Sequence, residues 1–365
     1  MNIRFLIRDI DLADFIESIT WEGHSEKPNR SLTVIFKNTV DGRNKAFAIS
    51  NGEAVQFFID NRRIFIGVVF STDIDESGNM TVNCFDRNYY TLKSNTTRQF
   101  KNKKASDVVR LLAKDFNIPI GTIENTSYVI PKLILRNHSL YDMMMKAIVL
   151  TYKQTGKRFF FGNEDGKLTL RQHKNNVTPW ILAAGSNLTK ASYSLSIEDT
   201  KTQVQVVGGK DNKFSHTAKS VSSQKLYGVM QHYEEIDEDA TKSQVKQRAE
   251  TLLKEMNVIN DQASISAIGI FDVITGCGVY VREPMTGLAG GYYVTSDTHT
   301  IRNGVHEMQL EISKSLEMPI IEISDEELGI EKVKPKKAAK KKKKKVTKKK
   351  DETKDKDTKE TTTKK

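Results

Sequence analysis

The stretch "TSDTHTIRNGVHEMQLEIS", residues 295–313, carries two of the seven histidines, His299 and His306, on either side of Asn303-Gly304. Asn-Gly is the strongest short hairpin signal, because both central residues of a type I′ turn need φ > 0. A two-residue turn there sets Arg302 opposite Val305, Ile301 opposite His306, Thr300 opposite Glu307 and His299 opposite Met308. Side chains alternate along a strand, so His299, Ile301, His306 and Met308 share a face that continues into Leu310 and Ile312. Thr298, Thr300, Val305, Glu307, Gln309 and Glu311 take the other face. The pattern predicts a hairpin with both histidines at the end of an apolar face. Asp297 lies on that face and Glu307 does not, so His299, His306 and Asp297 are the candidate metal set. Packed or hydrogen-bonded structural histidines are the favoured reading. A slip of one residue would exchange the faces.

Strands dominate outward from this hairpin. Residues 1–95 hold "IRFLIR", "FIESITW", "SLTVIF", "EAVQFFID", "RRIFIGVVFS" and "MTVNCFD", with turn residues at Asp41-Gly42, Asn51-Gly52, Asp60-Asn61 and Ser77-Gly78-Asn79. Six short strands so spaced predict a small barrel or sandwich. Residues 96–187 read as an α+β insert. Its first helix follows Ser106 as cap, with Val108, Leu111, Leu112 and Phe116 at helical spacing. A second helix starts at Ser139 and stops at Gly156, and a hairpin turns over Asp165-Gly166. Residues 188–318 return to strands, "LTKASYSLSI", "KTQVQVVGG", "ASISAIGIF", "CGVYVRE", "GYYVTSDTHTI" and "VHEMQLEI". A polar and helical insertion around 210–262 interrupts them, its helix capped by Asp239.

A shift of 224 residues sets Gly52 on Gly276, Val55 on Val279, Gly67 on Gly291, Asp73 on Asp297 and Asn79 on Asn303. With the shared order of elements, this predicts a mainly β chain with two related six-stranded barrels and a mixed insert between them.

Charge is divided unevenly. From Lys332 onward there are 18 lysines and five acids, a local charge of +13; 57 less 18 and 46 less five leave 39 basic and 41 acidic residues, or −2, for 1–331. A nucleic-acid surface spread over the whole fold is therefore not indicated. Residues 319–365 are too polar to offset the cost of ordering, which predicts disorder. The run Lys340, Lys341, Lys342, Lys343, Lys344 and Lys345 has two open readings. It is counter-charge for an acidic protein or for non-specific contact with nucleic acid, or it is a solvated tail.

Catalytic signatures are missing from the sequence. It has no GxSxG, HExxH or Walker loop. "VVGGK" (206–210) lacks phosphate-loop spacing and reads as a strand end and turn. Glu17 and Asp73 are the best carboxylate pair for a glycosidase, with surface acids in salt bridges the better reading. "MMMKAIVLTYK" (143–153) reads as core rather than as a methionine-rich groove. No catalytic, metal or cofactor residue is assigned. Cys84 and Cys277 form no zinc or CxxC spacing, and a reducing compartment fits. No signal peptide or run of ~20 apolar residues is present, so a soluble protein made in a cytoplasm, without membrane insertion, is expected.

The order of elements resembles the XkdQ/YqbQ tail-hub family of contractile-tailed phages, prophages and R-type bacteriocins, within the late control D/VgrG-like hub superfamily. The likeness covers about residues 1–318. It is carried by "AETLLKEMN", then "ASISAIGIFDVITGCGVYVREPMTGLAGGYYVTSDTHTIRNGVHEMQLEI", and by "HSLYDMMMKAIVLTYKQTGKRFFFGNEDGKLTL" in the insert. The lysine tail departs from the family pattern. The resemblance implies a structural homotrimer in which six related barrels surround a channel. Such an adapter docks a hexameric tail tube on one side and a trimeric central spike on the other, among other baseplate proteins. A tail-associated cell-wall hydrolase is the first alternative. A polyanion-binding protein acting through its lysine tail is the second.

Overall fold

The computed structural model describes residues 1–172, 176–314, 318, 321–324 and 326–330. The first 85 residues form β1 (Ile3–Ile7), β2 (Ile10–Asp11), β3 (Ile16–His24), β4 (Ser31–Lys37), β5 (Ala54–Ile59), β6 (Arg62–Ile74) and β7 (Asn79–Phe85). The middle holds α1 (Tyr90–Lys93), β8 (Asn95–Lys104), α2 (Ala105–Asp115), β9 (Ile120–Ile123), β10 (Val129–Ser139), α3 (Leu140–Thr155), β11 (Phe159–Glu164) and β12 (Lys167–Gln172). Then come β13 (Val177–Ala183), β14 (Leu188–Ser196), β15 (Gln203–Gly208), β16 (Phe214–Lys219), α4 (Val221–Tyr227), β17 (Gln231–Glu235) and α5 (Lys242–Met256). The last four are β18 (Asn260–Ile268), β19 (Gly278–Glu283), β20 (Leu288–Arg302) and β21 (Val305–Ser313). The protein is mainly β, and no helix of the described residues is long and apolar enough to cross a membrane.

Alternation builds the cores. In β4, Leu32, Val34 and Phe36 are buried while Ser31, Thr33 and Ile35 are partly open. They join Phe5, Phe57, Met80 and Val82 in one core. Ile265, Val279, Val281, Val294, Met308 and Leu310 make a second core late in the chain. Between them α2 and α3 pack Leu112, Met143, Met144, Met145 and Ile148 against Leu133, Phe159 and Leu168, so the methionine run is core. A small fourth core, around Val204, Val206, Val245 and Ala249, lies under α5.

The two strand-rich halves share one ladder order. The first runs β1-β5-β6-β7-β4-β3, and the second runs β13-β19-β20-β21-β18-β14. All ladders in both orders are antiparallel except β13·β19, which is parallel. Backbone bonds repeat as well. Gly52 N–H donates to Val69 O (2.8 Å) and Val69 N–H to Glu53 O (2.9 Å); Gly276 N–H donates to Val294 O (2.8 Å) and Val294 N–H to Cys277 O (2.9 Å). Bulges recur between Val69 and Ser71 and between Val294 and Ser296, and again between Ile16 and Ser18 and between Leu188 and Lys190.

Several details differ from the sequence reading. Gly52 and Gly276 keep the 224-residue shift, but the bonds equate Val69 with Val294, and 294 − 69 is 225. One extra residue before β20 therefore puts Gly67 on Tyr292, and the matches of Gly67, Asp73 and Asn79 to Gly291, Asp297 and Asn303 are off register. "KTQVQVVGG" does not join the second half. As β15 it pairs β16 and β17 in a separate sheet, and β13 fills the sixth place beside β19. No ring of ladders closes among the described residues, so the expected closed barrels are not seen. The reason is a change of partner: the free edge of β3 pairs with β20 of the other half. In the second half β13 and β14 touch only through the isolated bridge Ala184–Leu188.

Local signals fared unevenly. Ser139 Oγ accepts the N–H of Asp142 (3.0 Å) and Gly156 takes φ 70° at the end of α3, as a left-handed stop requires. Ser106 is no cap: it lies inside α2, with its N–H bonded to Thr126 Oγ1. Thr241 caps α5 in place of Asp239, because Thr241 and Gln244 form a reciprocal capping box. Contacts continue past Met318, where the sequence reading starts a disordered tail. Ile321 and Ile323 pack on the middle core, and Glu327 pairs with the buried Lys146. Lys340–Lys345 lie outside the described residues.

Candidate functional site

The hairpin that opened the sequence reading forms the seam between the halves. Asn303 (φ 50°) and Gly304 (φ 75°) make the turn, and the predicted register holds from Arg302↔Val305 to His299↔Met308. The other edge of β20 pairs antiparallel with β3, from Ser296↔His24 to Arg302↔Ser18. Asp297, His299 and Ile301 thereby face inward at the junction and are buried.

Asp297 is neutralised across the seam. Arg30 Nη1 lies 2.9 Å from Asp297 Oδ1, and Nη2 meets Oδ2. Thr275 adds its N–H (2.7 Å) and its hydroxyl (2.6 Å) to Oδ1. Burial alone would raise this carboxyl, but the guanidinium and its hydrogen bonds outweigh it and hold the group below the usual carboxylate range. The guanidinium also lies 3.8 Å over the Trp21 ring. Gly23, opposite Asp297, has no Cβ for a steric reason: one there would come within 2.2 Å of Arg30 Nη1.

The two histidines face each other. His299 Nε2 lies 3.0 Å from Val273 O, which can only accept, so Nε2 carries the proton. His299 Nδ1 therefore accepts from His306 Nε2 at 3.0 Å. Phe271 stacks on His306 with ring centroids 4.0 Å apart, and Trp21 lies 5.1 Å from His299. Burial pushes both imidazoles down to about 4, against their ordinary value of 6.5, so both are neutral at pH 7. His299, His306 and Asp297 are thus brought together, but their facing atoms are spent on each other, Val273, Thr275 and Arg30. Among the described residues no group of three or more His, Cys, Asp or Glu is arranged to hold a metal ion.

A cleft of about 430 Å³ borders the seam, lined by Arg30, Asn163, Arg171 and Thr275 among others. Beside it Asp86 is buried and accepts the N–H groups of Arg30 (2.8 Å) and Asn88 (2.9 Å). Burial pushes its carboxyl up to about 7. Glu17 and Asp73 are exposed, on strands that β4 and β7 separate, and make no ion pair among the described residues. Gly208 ends β15 and Gly209 (φ 82°) turns the chain, so "VVGGK" is a strand end. Trp21, Arg30, Phe271 and Thr275 were not singled out from sequence. A buried Asp297 signals that a cation must meet it, but nothing local says which of 57 basic residues does.

Comparison with known proteins gives this geometry its context. Protein XkdQ of the phage-like element PBSX, from Bacillus subtilis strain 168, is 33% identical over 321 residues, covering 86% of this chain and 98% of XkdQ. The fold is similar to the 43 kDa tail protein of prophage MuSo2 from Shewanella oneidensis, with TM-score 0.66 at 13% identity, over 86% of this chain and 98% of that one. It is also similar to the E. coli c3393 protein, a type VI secretion component described as structurally similar to the T4 tail proteins gp27 and gp5. There the TM-score is 0.52 at 10% identity, over 88% of this chain and 79% of that one. The YqbQ-like family model matches residues 19–313, which take in the seam and the strands on both sides of it, and the chain belongs to the YqbQ-like family.

Proposed function

We propose that this chain is a structural, non-enzymatic hub of a contractile phage tail or tailocin baseplate. It is made in the bacterial host cytoplasm and built into the particle. Three copies form a homotrimer that joins the hexameric tail tube to the trimeric central spike. The observation that carries this reading is the repeated ladder order with its repeated bulges and Gly52/Gly276 bonds. Two like β units in one chain let three chains offer six like surfaces, so one ring meets sixfold and threefold partners. A relative from a phage-like element and a prophage tail protein of similar fold support the same setting.

The test is the mass of the purified chain, alone and mixed with its tube and spike proteins. Three copies per complex and intact peptidoglycan are expected. A monomer in every mixture that degrades peptidoglycan overturns the reading in favour of the hydrolase. Lys340–Lys345 are assigned to contact with an acidic partner or polyanion; retention on immobilised DNA that steepens as salt falls, and vanishes without residues 331–365, is the expected result.

A further inference from the structure

Six buried side-chain nitrogen or oxygen atoms among the described residues have no hydrogen-bond partner, and they divide by kind. The donors are Trp21 Nε1, Arg30 Nε and Asn163 Nδ2; the acceptors are Asn29 Oδ1, Glu53 Oε2 and Asn88 Oδ1. Trp21, Arg30 and Asn163 all line one cavity of about 290 Å³, and Asn29, Glu53 and Asn88 do not. Trp21 is only 5% exposed, and the Arg30 side chain only 11%. Three parts of the chain meet at this cavity. Trp21 comes from β3 and Phe65 from β6, Asn163 from β11 of the insert, and Phe271 and Ile274 from the segment between β18 and β19. Two exposed ion pairs join β6 to the other two parts: Arg62 Nη1 lies 2.6 Å from Asp272 Oδ1, and Arg63 Nε lies 2.6 Å from Asp165 Oδ1.

A donor buried without an acceptor carries the full cost of leaving water. A water molecule answers three such donors poorly, because its own two O–H groups need acceptors. The carboxyl groups of the lining are already engaged: Asp165 with Arg63, Glu164 with Arg171 at 3.0 Å, and Asp86 with the N–H groups of Arg30 and Asn88. A ligand that only accepts has no such need. We propose that this cavity is a binding site for a small monovalent carboxylate, whose oxygens accept from Trp21, Arg30 and Asn163 and tie the first β unit to the insert beside the seam. Charge limits the ligand to one negative. Arg30, Arg62 and Arg63 are matched by Asp297, Asp272 and Asp165, and Glu164 is matched by Arg171. His299 and His306, against Trp21 and Phe271, are neutral at pH 7. That leaves Asp86, whose carboxyl burial pushes up to about 7. A proton taken up there makes room for one negative charge. Two oxygens also serve donors from three segments better than the single atom of a halide. Every residue of the site belongs to one chain, so it does not depend on the hub reading.

The chain has two tryptophans, Trp21 and Trp180, so the full chain carrying 15N-labelled tryptophan gives two indole N–H signals. Trp180→Phe, at an exposed position, identifies the Trp21 signal. The test titrates sodium acetate at pH 6, with sodium chloride holding the ionic strength constant. The Trp21 signal is expected to move downfield and saturate, and the Trp180 signal to stay in place. The melting temperature is expected to rise with acetate and not with chloride. Asn163→Asp keeps an oxygen for the N–H of Gly166 (2.9 Å) and turns the free donor into a second acceptor. It is expected to weaken acetate binding about tenfold or more. Binding is expected to be weaker at pH 8, where Asp86 is ionised, and to be equal at the two pH values in Asp86→Asn. A Trp21 signal that never moves, or that moves alike with chloride, overturns the carboxylate site and leaves water as its occupant. An acetate response of unchanged affinity in Asn163→Asp also overturns it.

Discussion

Arg30 and Asp297, 267 residues apart in the chain, meet in a two-point ion pair in which the carboxylate is fully buried and the guanidinium nearly so. Removing one partner of such a pair strands the other charge, a loss of about 3–5 kcal/mol. Arg30→Met is therefore expected to destabilise the protein by about that much in urea unfolding. Arg30→Met with Asp297→Leu is expected to recover part of the loss, since neither charge is then left alone. A double variant less stable than Arg30→Met would show that Asp297 is held by Thr275 and needs no guanidinium.

Gly23 gives a steric test of the same seam. Its backbone needs no glycine conformation, but an added Cβ meets the guanidinium at 2.2 Å and Asp297 Oδ1 at 3.0 Å. Gly23→Ala is expected to cost about 1–3 kcal/mol, as overpacking does. In the Arg30→Ala background the same change is expected to cost much less, because the obstructing group is gone.

The hairpin was legible in the sequence and its partner across the seam was not. Asn303-Gly304 encodes its turn in two adjacent residues, and the turn fixes the β20·β21 register by geometry alone. That register placed Asp297, His299 and Met308 on the buried face. Arg30 reaches Asp297 only because β3, which keeps β4 on one edge, pairs its other edge with β20, a choice with no local signature. The repeat was visible at Gly52 and Gly276, where a positive φ (91° and 88°) demands glycine. It then slipped by one residue, because β20 follows its turn one residue later than β6 does and a constant shift has no means to follow that. Thr241 was readable as a cap from Gln244 three residues on, a stronger signal than Asp239 alone.

The histidine pair predicts an acid-side loss of stability. His299 is neutral in the folded protein, with a value near 4, while the unfolded chain protonates near 6.5. A depressed folded value gives stability that is present above about 6.5 and lost as pH falls toward 4. For the buried His299 the loss is on the order of 3 kcal/mol. His299→Gln is expected to be less stable at pH 7 and to lose less between pH 6.5 and 4 than the unsubstituted protein. Equal slopes in chemical unfolding over that window would show that His299 is charged when folded.

Asp86 predicts the opposite slope. Its folded value is raised to about 7, while the unfolded carboxyl titrates near 3.8. The stability it contributes is full below about 3.8 and lost as pH rises through 7. Asp86→Asn keeps a carbonyl oxygen for the N–H of Arg30 or Asn88 and removes the titration. Its unfolding free energy, relative to the unsubstituted protein, is expected to rise between pH 4 and pH 7. A constant difference across that range would mean that the two N–H donors hold Asp86 ionised.

The two ends available for truncation separate the docked part of the C-terminal segment from the lysine-rich part. Ile321 and Ile323 pack on the core of α2 and α3, and the N–H of Ile134 donates to Glu327 O at 2.6 Å. Glu327 also pairs with Lys146, whose side chain is only 10% exposed, and lies 3.0 Å from His138. Cutting after Ile330 leaves all of these in place, so melting temperature and assembly are expected to match those of the full chain. Cutting after Met318 uncovers the apolar patch and leaves the Lys146 ammonium buried without its carboxylate, which costs about 3 kcal/mol or more. A melting temperature lower by several degrees is therefore expected for the second cut alone. Lys146→Met in the chain cut after Met318 is expected to restore part of it, because the stranded charge, more than the lost length, is the larger cost. If both cuts melt alike, Glu327 contributes nothing to the fold and residues 321–330 belong with the tail.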